Sequence, residues 1–228
     1  MGAMRVLTWN LFHGRAVPGA GRDLRGRFES MLAGWDWDVA LLQEVPPWWP
    51  PALAVACDAR ASTALTSRNA LLPARRALAT RWPDVIKSNG GGANAILVRG
   101  EIAAERRLLL RRWPERRVCH GVQLADGTWC ANLHAQVHSP VRARADIVRA
   151  AAATLGWAGG GPALLGGDFN VREPCAPGFT PLGGRGVDHV LGHGLAAAGP
   201  PELPDRGDLS DHAPVIVDVV RRAPSQEG

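Results

Sequence analysis

Polar side chains stand where the apolar segments of this chain end. Asn10 follows the alternating run MRVLTW, and Glu44 nearly closes the apolar run VALLQEV. The same placement recurs further along the chain for Asn132, His134, Asp168, Asn170, Asp188, Asp211 and His212. Carboxylates, amides and imidazoles are the side chains that bind cations and transfer protons. Their repeated position at the ends of predicted strands indicates a chemical site at one sheet edge.

Strand periodicity brings several of these residues onto common faces. Residues two apart in a strand point the same way, so Asn132 and His134 share a face. Asp168 and Asn170 do so if the chain stays extended there. Taken singly, each residue has an ordinary interpretation, because an asparagine after a strand is usually a turn residue and a glutamate there is usually solvated. These ordinary interpretations do not explain why such residues stand at successive strand ends in this order.

The elements that must position these residues are predicted from hydrophobic periodicity. Strands are expected at residues 4–12, 39–45, 93–99, 162–170, 186–192 and 212–220, and helices at 22–35 and 140–157. Residues 101–112 are expected to form an arginine-rich edge strand, and the proline-broken residues 46–93 short helices and loops. This pattern predicts sheets covered by helices. We expect one domain over residues 1–228, with a core at about 5–220 and a loose tail at 223–228.

A β-hairpin is predicted where ADGT separates RRVCHGVQL from TWCANLHAQ, with a two-residue turn on the DG pair. In that register Cys119 lies opposite His134 and Cys130 lies opposite Gln123, so free buried thiols are expected and not a disulfide. Arg117 then falls on the face of His134. The four cysteines form no CxxC pair, which argues against a zinc site.

The charge and hydropathy of the chain limit the kinds of partner that it can bind. The net charge is +5, and Lys87 is the only lysine among 26 basic residues. A basic surface suits a polyanion such as nucleic acid, although arginine-rich usage can equally reflect genomic base composition. No stretch approaches the ~20 apolar residues that cross a bilayer, and the N-terminus lacks a secretory pattern. A cytoplasmic protein without stable membrane association is therefore expected.

The order of the motifs resembles one known superfamily. TWN, QE, GGANAIL, an arginine before the hairpin, NLHA, GGDFN, VDHVL and SDHAPV follow one another over residues 5–220. In this respect the chain resembles the endonuclease/exonuclease/phosphatase superfamily, which has the DNase I-like fold. The resemblance implies an α/β fold, a four-layer α/β sandwich in which two mixed β-sheets pack face to face and are flanked by helices. It also implies hydrolysis of phosphoester bonds with Mg²⁺, with Mn²⁺ as an alternative.

The same resemblance implies roles for individual residues. The residues matching the metal site are Asn10, Glu44 and Asp211. Those matching catalytic positions are His134, Asp168, Asn170, Asp188 and His212, with Asp188 orienting His212 and with Asp168 and Asn170 orienting water and phosphate. Substrate phosphate contacts are expected from Arg117, Asn132 and Asn94. Mg²⁺ takes oxygen ligands and retains waters, so one carboxylate and one amide suffice to hold it. We expect the metal-site and catalytic residues to line one pocket at the edge of the two sheets.

Three functions stay open at this point. The favoured one is a Mg²⁺-dependent phosphodiesterase, a nuclease of low sequence preference acting on DNA or RNA as a monomer. Its expected phosphate contacts outside the reaction centre lie in the arginine cluster Arg106, Arg107, Arg111, Arg112, Arg116 and Arg117. The alternative is a phosphatase or phosphodiesterase acting on a phospholipid head group or inositol phosphate, and the last is an inactive binding module. The absence of tyrosine argues against an abasic-site endonuclease, whose catalysis uses one. Trp48, Trp49 and Trp82 are either base-stacking or core residues.

Overall fold

Two six-stranded sheets form the centre of the molecule in a computed structural model that describes residues 3–67, 69–85 and 92–222. In spatial order the first sheet contains β11 (Leu195–Ala197), β12 (Val215–Arg221), β1 (Met4–Asn10), β2 (Val39–Val45), β4 (Ala93–Val98) and β3 (Arg60–Leu65). The second contains β5 (Ile102–Arg111), β6 (Arg117–Leu124), β7 (Trp129–His134), β8 (Ala163–Asp168), β10 (Asp188–His193) and β9 (Thr180–Arg185). The predicted tail from residue 223 lies outside the described residues.

Helices cover the outer faces of both sheets. The described helices are α1 (Arg25–Gly34), α2 (Pro50–Ala56), α3 (Leu72–Arg81) and α4 (Pro140–Ala158). Phe28 of α1 and Leu53 of α2 pack with Trp9 of β1 in one core, and Ile147 of α4 packs with Leu133 of β7 in another. A third core between the sheets is rich in valine and leucine. The predicted four-layer α/β sandwich, the DNase I-like fold, is therefore confirmed. Among the described helices, none is both long and apolar enough to span a bilayer.

One parallel strand pair lies near the middle of each sheet. β1 is parallel to β2 and β7 is parallel to β8, and the connections between them pass through α1 and α4. Parallel neighbours need such crossovers, and their carboxyl ends lie at the same sheet edge. Asn10 is in register with Gln43, and His134 with Asp168. The strand-end residues of the sequence are thereby gathered at one edge of the sandwich.

The predicted hairpin register is wrong by one residue. Cys130 pairs with Val122 and not with Gln123, because the turn has a three-residue connection at residues 125–127. The Gly127 N–H donates to the Leu124 carbonyl (3.0 Å), and Gly127 has a left-handed φ of 85°, which is the usual geometry of a three-residue hairpin loop. Arg117 still reaches the strand-end edge, from the first residue of β6, where the ladder with β5 is interrupted.

Free buried thiols at Cys119 and Cys130 are confirmed, but for a different reason from the one predicted. Both cysteines are fully buried and unpaired. Cys119 packs on the side of α4, whereas Cys130 belongs to the core between the sheets. The shifted register thus directs the two thiols to opposite faces of the second sheet.

Several strand boundaries also differ from the prediction. β3, β9 and β11 were not predicted, because they are short and lack a long apolar run. β1 ends at Asn10 and not at residue 12, since the Asn10 Oδ1 accepts a hydrogen bond from the Phe12 N–H (2.9 Å) and turns the chain. β5 is the predicted edge strand.

Candidate active site

A cleft of about 670 Å³ opens at the edge where the strand ends meet. Of the site residues predicted from the sequence, the cleft is lined by Asn10, Glu44, Arg117, His134, Asp168, Asn170, Asp211 and His212. Asp188 lies directly behind this wall, buried against His212. The structure therefore brings together all eight metal-site and catalytic candidates. Their individual roles remain predictions.

Backbone strain is concentrated at this cleft. Eight non-glycine residues of the described chain have left-handed φ angles, a conformation that side chains rarely adopt. Five of them line the cleft, namely Phe12, His13, Glu44, His138 and Asn170, and Ser210 adjoins Asp211. Such residues persist where the surrounding structure holds them, and they cluster at functional sites.

Asp168, the last residue of β8, is the central acceptor of the site. Its Oδ2 accepts a hydrogen bond from the Asn10 amide (3.0 Å) and lies 3.5 Å from His134 Nε2. Its Oδ1 accepts from the Asn170 N–H (2.9 Å). Burial raises the pKa of Asp168, although the charge of His212 opposes the shift. A buried carboxylate held on both oxygens has a fixed orientation, which is what an acceptor of a proton from water requires.

His212 and Asp188 form a buried pair beside Asp168. His212 Nδ1 lies 2.8 Å from Asp188 Oδ2, and His212 Nε2 lies 3.8 Å from Asp168 Oδ2. Burial by itself would lower the pKa of His212, but the hydrogen bond to Asp188 and the nearby carboxylates raise it to about 9. At neutral pH the ring is therefore an imidazolium whose Nε2 faces the cleft.

The SDH triplet owes its serine to loop geometry. Ser210 Oγ donates to the Asn10 carbonyl (2.6 Å) and accepts from the His212 N–H (3.0 Å). The Trp9 indole N–H donates to the His212 carbonyl (3.0 Å). These bonds tie the His212 loop to the end of β1. Ser210 therefore holds His212 beside the strand-end residues, a role that the sequence pattern does not indicate.

Glu44 faces Asp168 across the cleft. In the described part of the chain, neither a lysine nor an arginine forms an ion pair with it. Burial and the charge of Asp168 raise the pKa of Glu44 to about 7. Its Oε2 lies 3.2 Å from His13 Nε2, and its Oε1 lies 3.9 Å from His134 Nε2. A carboxylate whose pKa is raised by a neighbouring carboxylate indicates a place where a cation is electrostatically favourable.

Two sets of side chains could hold that cation. Ligand atoms of Asp168, Asp188 and His212 lie within 4.8 Å of one another. However, His212 Nδ1 is already hydrogen-bonded to Asp188, and a metal-binding histidine must be neutral. The oxygen donors of Asn10, Glu44 and Asp211 line the same cleft and suit a hard cation such as Mg²⁺ better.

Arg117 supplies the buried positive charge of the cleft. Arg117 is 5% exposed, and its guanidinium pairs with Glu115, which also lines the cleft. Burial lowers its pKa, and the charges of Glu115, Glu44 and Asp168 oppose that shift. An arginine always stays charged in a protein, so Arg117 can bind a phosphate oxygen.

Asn132 and Asn94, which the resemblance predicts to contact substrate phosphate, do not lie at the cleft. Both are buried between the sheets and neither lines the cleft. The Asn132 amide donates to the carbonyls of Leu42 (2.8 Å) and Ala95 (2.9 Å), and its oxygen accepts from Gln43 (2.8 Å). Asn94 donates to the Val118 carbonyl (3.4 Å). Both amides connect the two sheets, because their strand positions direct them inward before the strand ends.

Six other polar residues line the cleft and are not predicted from the sequence, namely His13, Arg15, Thr66, Ser67, Glu115 and His138. His13 follows the turn that was mistaken for a continuation of β1, so nothing in its spacing marked it. Arg15 pairs with Asp84 (3.1 Å), which joins two loops distant in sequence. Such long-range contacts have no local signal.

The predicted arginine cluster divides into paired and unpaired members. Arg111 pairs with the fully buried Asp146 (3.2 Å), and exposed Arg107 pairs with Glu105 (3.1 Å). The Arg111 guanidinium is therefore held by Asp146, and we predict that it stabilises the fold and does not contact phosphate. Within the described part of the chain, no ion pair involves Arg112 or Arg116.

The three tryptophans with open roles differ from one another. Trp49 is buried against Phe28 (ring centroids 5.4 Å apart), and Trp48 is partly buried on the same core. Trp82 is 52% exposed, and the Arg81 guanidinium lies over its ring. The core interpretation is therefore confirmed for Trp49.

Comparisons with known proteins agree with this geometry. The sequence profile of the Endonuclease/Exonuclease/phosphatase family matches residues 7–212. Among curated proteins, no sequence matches the chain.

Solved structures share the fold at low sequence identity. An endonuclease/exonuclease/phosphatase from Beutenbergia cavernae is 18% identical with a TM-score of 0.70, over 97% of this chain and 72% of that one. The mannosyl-6-phosphatase of Bacteroides thetaiotaomicron is 16% identical with a TM-score of 0.66, over 95% and 99%. The human Nocturnin catalytic domain with bound sulfate is 16% identical with a TM-score of 0.66, over 97% and 94%. At these identities the likeness shows the fold alone.

Proposed function

The chain belongs to the endonuclease/exonuclease/phosphatase family, whose members are phosphoester hydrolases, and from this premise we propose that it is a Mg²⁺-dependent phosphodiesterase acting on nucleic acid. The observation that carries the proposal is the position of the His212 imidazole between Asp188 and Asp168. Its Nε2 faces the cleft 3.8 Å from the buried carboxylate of Asp168, so a proton donor and a proton acceptor share one small space.

In the proposed reaction, these two groups act on a water molecule and a phosphate bound in the cleft beside them. Asp168 accepts the proton of a water molecule whose oxygen attacks phosphorus, while the bond from phosphorus to the leaving oxygen breaks. His212, held protonated by Asp188, donates a hydrogen bond to a phosphoryl oxygen as its charge grows. His134 Nε2, 3.5 Å from Asp168 Oδ2, offers a second donor at the same place. Donors fixed in this way before the reaction stabilise developing charge without reorganisation.

The donor set also fits the cation that the proposal requires. Asn10, Glu44 and Asp211 each carry a side-chain oxygen at the cleft, and Glu44 is a partly buried carboxylate whose pKa is raised to about 7 by burial and by the charge of Asp168. When bound there, Mg²⁺ would neutralise charge on the phosphoryl and leaving oxygens. Mn²⁺ takes similar oxygen ligands.

Nucleic acid is favoured as substrate by the charge at the rim of the cleft. Arg112 and Arg116 are exposed between β5 and β6, adjacent to the cleft residues Glu115 and Arg117. Polyanions bind such arginines with release of counterions. The alternative is a phosphatase, since one structural neighbour is a mannosyl-6-phosphatase. The sulfate bound to human Nocturnin shows a tetrahedral oxyanion on the same fold, which is compatible with both.

The test is a substrate panel in the presence of Mg²⁺, Mn²⁺ or EDTA. It contains plasmid DNA, single-stranded DNA, RNA, abasic DNA, inositol phosphates, sphingomyelin and a sugar phosphate. We expect Mg²⁺-dependent cleavage of DNA or RNA, and loss of that cleavage in His212→Ala and His134→Ala proteins that remain folded. Hydrolysis of the sugar phosphate or the lipids alone would replace the nuclease assignment with the phosphatase one. Metal-independent hydrolysis would contradict both.

A further inference from the structure

We propose that Trp113, between β5 and β6, is a stacking platform for an unpaired nucleobase of the substrate, and that Arg112 and Arg116 contact the phosphates of that strand. The inference rests on the proposed nuclease function and makes it more specific, because it names a single-stranded polynucleotide as the substrate. Duplex DNA keeps its bases stacked inside and would not present one to the indole.

The segment carrying Trp113 lies at the rim of the candidate active site. Glu115, two residues further on, lines the cleft, as does Arg117. Two extended residues span at most about 7 Å, so the Trp113 backbone is within that distance of the cleft wall. Ser67, also in the cleft lining, accepts a hydrogen bond from the Arg116 N–H (2.6 Å) and donates to its carbonyl (3.4 Å). The segment is thus fixed to the opposite sheet.

Trp113 is unusually exposed for a tryptophan of this protein. Its exposed fraction is 80%, whereas Trp9 and Trp37 are buried in the core and Trp82 is 52% exposed. An indole presents a large flat face, on which any base can stack. Because the segment that carries this exposed ring adjoins the proposed phosphoester site, the proposed ligand is a base close to the scissile phosphate.

The charges around Trp113 complement a nucleic-acid strand. Arg112 and Arg116 are exposed on either side of it. Among the described residues, neither guanidinium group forms an ion pair. By contrast, Arg107, Arg111 and Arg117 pair with acidic side chains. An exposed aromatic ring between free guanidinium groups is the arrangement by which proteins hold single strands.

A membrane surface fits the same segment less well. Insertion into the interface needs an apolar face, and Trp113 is the only large apolar side chain in residues 112–116. Glu115 adds a negative charge that anionic lipids would repel. A base, which needs one flat ring and adjacent positive charges, matches what the segment offers.

The test compares two strands that differ only in their bases. Binding of a labelled eight-nucleotide oligodeoxyadenylate and of an abasic strand of equal length is measured by fluorescence anisotropy, in EDTA to prevent cleavage. Trp113→Ala should weaken oligodeoxyadenylate binding between about 5- and 100-fold and leave abasic binding unchanged. Trp113→Phe should retain affinity, and Trp113→Leu should not, because leucine is apolar but cannot stack.

The arginines are tested with the same two strands. Arg112→Ala and Arg116→Ala should each reduce the salt slope by about one unit with both strands. Arg222→Ala is the matched control, since Arg222 is exposed and follows β12, at the far end of the sheets, and it should change nothing.

Several outcomes would overturn the inference. These are equal oligodeoxyadenylate binding by Trp113→Ala and wild type, no oligonucleotide binding by wild type, or Trp113-dependent binding only to phosphatidylserine vesicles. The proposed function fails separately, in an assay of bis(4-nitrophenyl) phosphate hydrolysis with Mg²⁺. That small diester can occupy the cleft without a base on Trp113, so its hydrolysis reports the reaction centre alone.

Discussion

The imidazole of His212 lies between two carboxylates that contact different nitrogen atoms. Asp188 Oδ2 is 2.8 Å from Nδ1, and Asp168 Oδ2 is 3.8 Å from Nε2. The two aspartates are themselves paired across β8 and β10, so the sheet fixes their separation. The ring orientation and its proton are consequently set by strand pairing, and only the His212 backbone comes from a loop.

Asp188→Asn should test how the His212 ring is held. An asparagine preserves the shape but cannot stabilise the imidazolium, so we expect kcat to fall by about 10²–10⁴-fold with a much smaller change in KM. Steady-state kinetics on the best substrate of the panel measures both. Asp58→Asn, at an exposed position, is the control and should match wild type. A wild-type kcat in Asp188→Asn would remove the pair from the mechanism.

Glu44→Gln should remove cation binding without destabilising the fold. A ligand that binds only the folded state stabilises it by about 2.7 kcal/mol at one hundred times its Kd. We expect Mg²⁺ to raise the Tm of wild type and of the control Glu101→Gln, and to have little effect on Glu44→Gln. Without Mg²⁺, Glu44→Gln should be no less stable than wild type at pH 8, since burial and Asp168 raise the pKa of Glu44 to about 7 and make its ionised form unfavourable.

That experiment is read by thermal unfolding with and without MgCl₂. Equal Mg²⁺ stabilisation of Glu44→Gln and wild type would place the cation elsewhere. In that case the group formed by Asp168, Asp188 and His212 would be the next to test.

His120 should make stability fall with acid. It is fully buried, and its Nε2 lies 2.7 Å from Ser62 Oγ. Burial lowers its pKa to about 3. The unfolded chain, with a histidine pKa of ~6.5, therefore binds one more proton between these values. Stability is complete above about pH 6.5 and should fall by about 1.4 kcal/mol per pH unit below it.

Urea unfolding of wild type and His120→Gln at pH 4–8 measures this effect. Glutamine can still bond Ser62 but does not titrate, so the difference in unfolding free energy between the two proteins should shrink or reverse as the pH falls. A difference independent of pH would show that His120 is protonated equally in both states.

The sequence predicts the location of a residue best when that residue lies next to the end of a strand. Asn10 and Asp168 end strands that have a parallel neighbour, and His212 precedes β12, which is antiparallel to β1, so strand pairing brings these positions to one edge. Asn132 is an asparagine like Asn10, but it lies two positions before the end of β7. Its side chain is hydrogen-bonded to the other sheet and does not reach the cleft. Periodicity gives the face of a strand, and it does not give the depth of a residue below the strand end.

Loop residues could not be placed in that way. His13 enters the cleft through a left-handed turn, and Arg117 reaches it although the hairpin register shifts by one. One extra residue in the loop at 125–127 moved every predicted cross-strand partner. The role of Ser210 likewise depends on a contact 200 positions away, with the carbonyl of Asn10 (2.6 Å).

Gly167→Ala should be strongly destabilising. A Cβ there would lie 1.9 Å from the Leu133 carbonyl oxygen, and the φ of 139° is itself unfavourable for alanine. Strain and overpacking together suggest a loss of about 3–5 kcal/mol. Gly186→Ala is the control, because its φ is also left-handed (64°) but no atom lies within 4 Å of the new Cβ. It should cost only about 1–2 kcal/mol. Chemical denaturation measures both, and equal losses would contradict the contact with Leu133.

Arg111→Ala should reduce stability and leave nucleic-acid affinity unchanged. Its partner Asp146 is fully buried in α4 and also accepts a hydrogen bond from the Gln136 N–H (3.1 Å). Removing one member of a buried ion pair costs about 3–5 kcal/mol, and because Arg111 is 23% exposed and Asp146 keeps the Gln136 bond, we expect about 2 kcal/mol. Arg107→Ala, whose pair with Glu105 is exposed, should cost less than about 1 kcal/mol. Urea unfolding gives these values, and oligonucleotide binding at several salt concentrations gives the salt slope. If Arg111 instead neutralises a phosphate, its removal will lower the slope by about one unit. If Arg111→Ala has wild-type stability and a reduced salt slope, Arg111 contacts a phosphate of the nucleic acid.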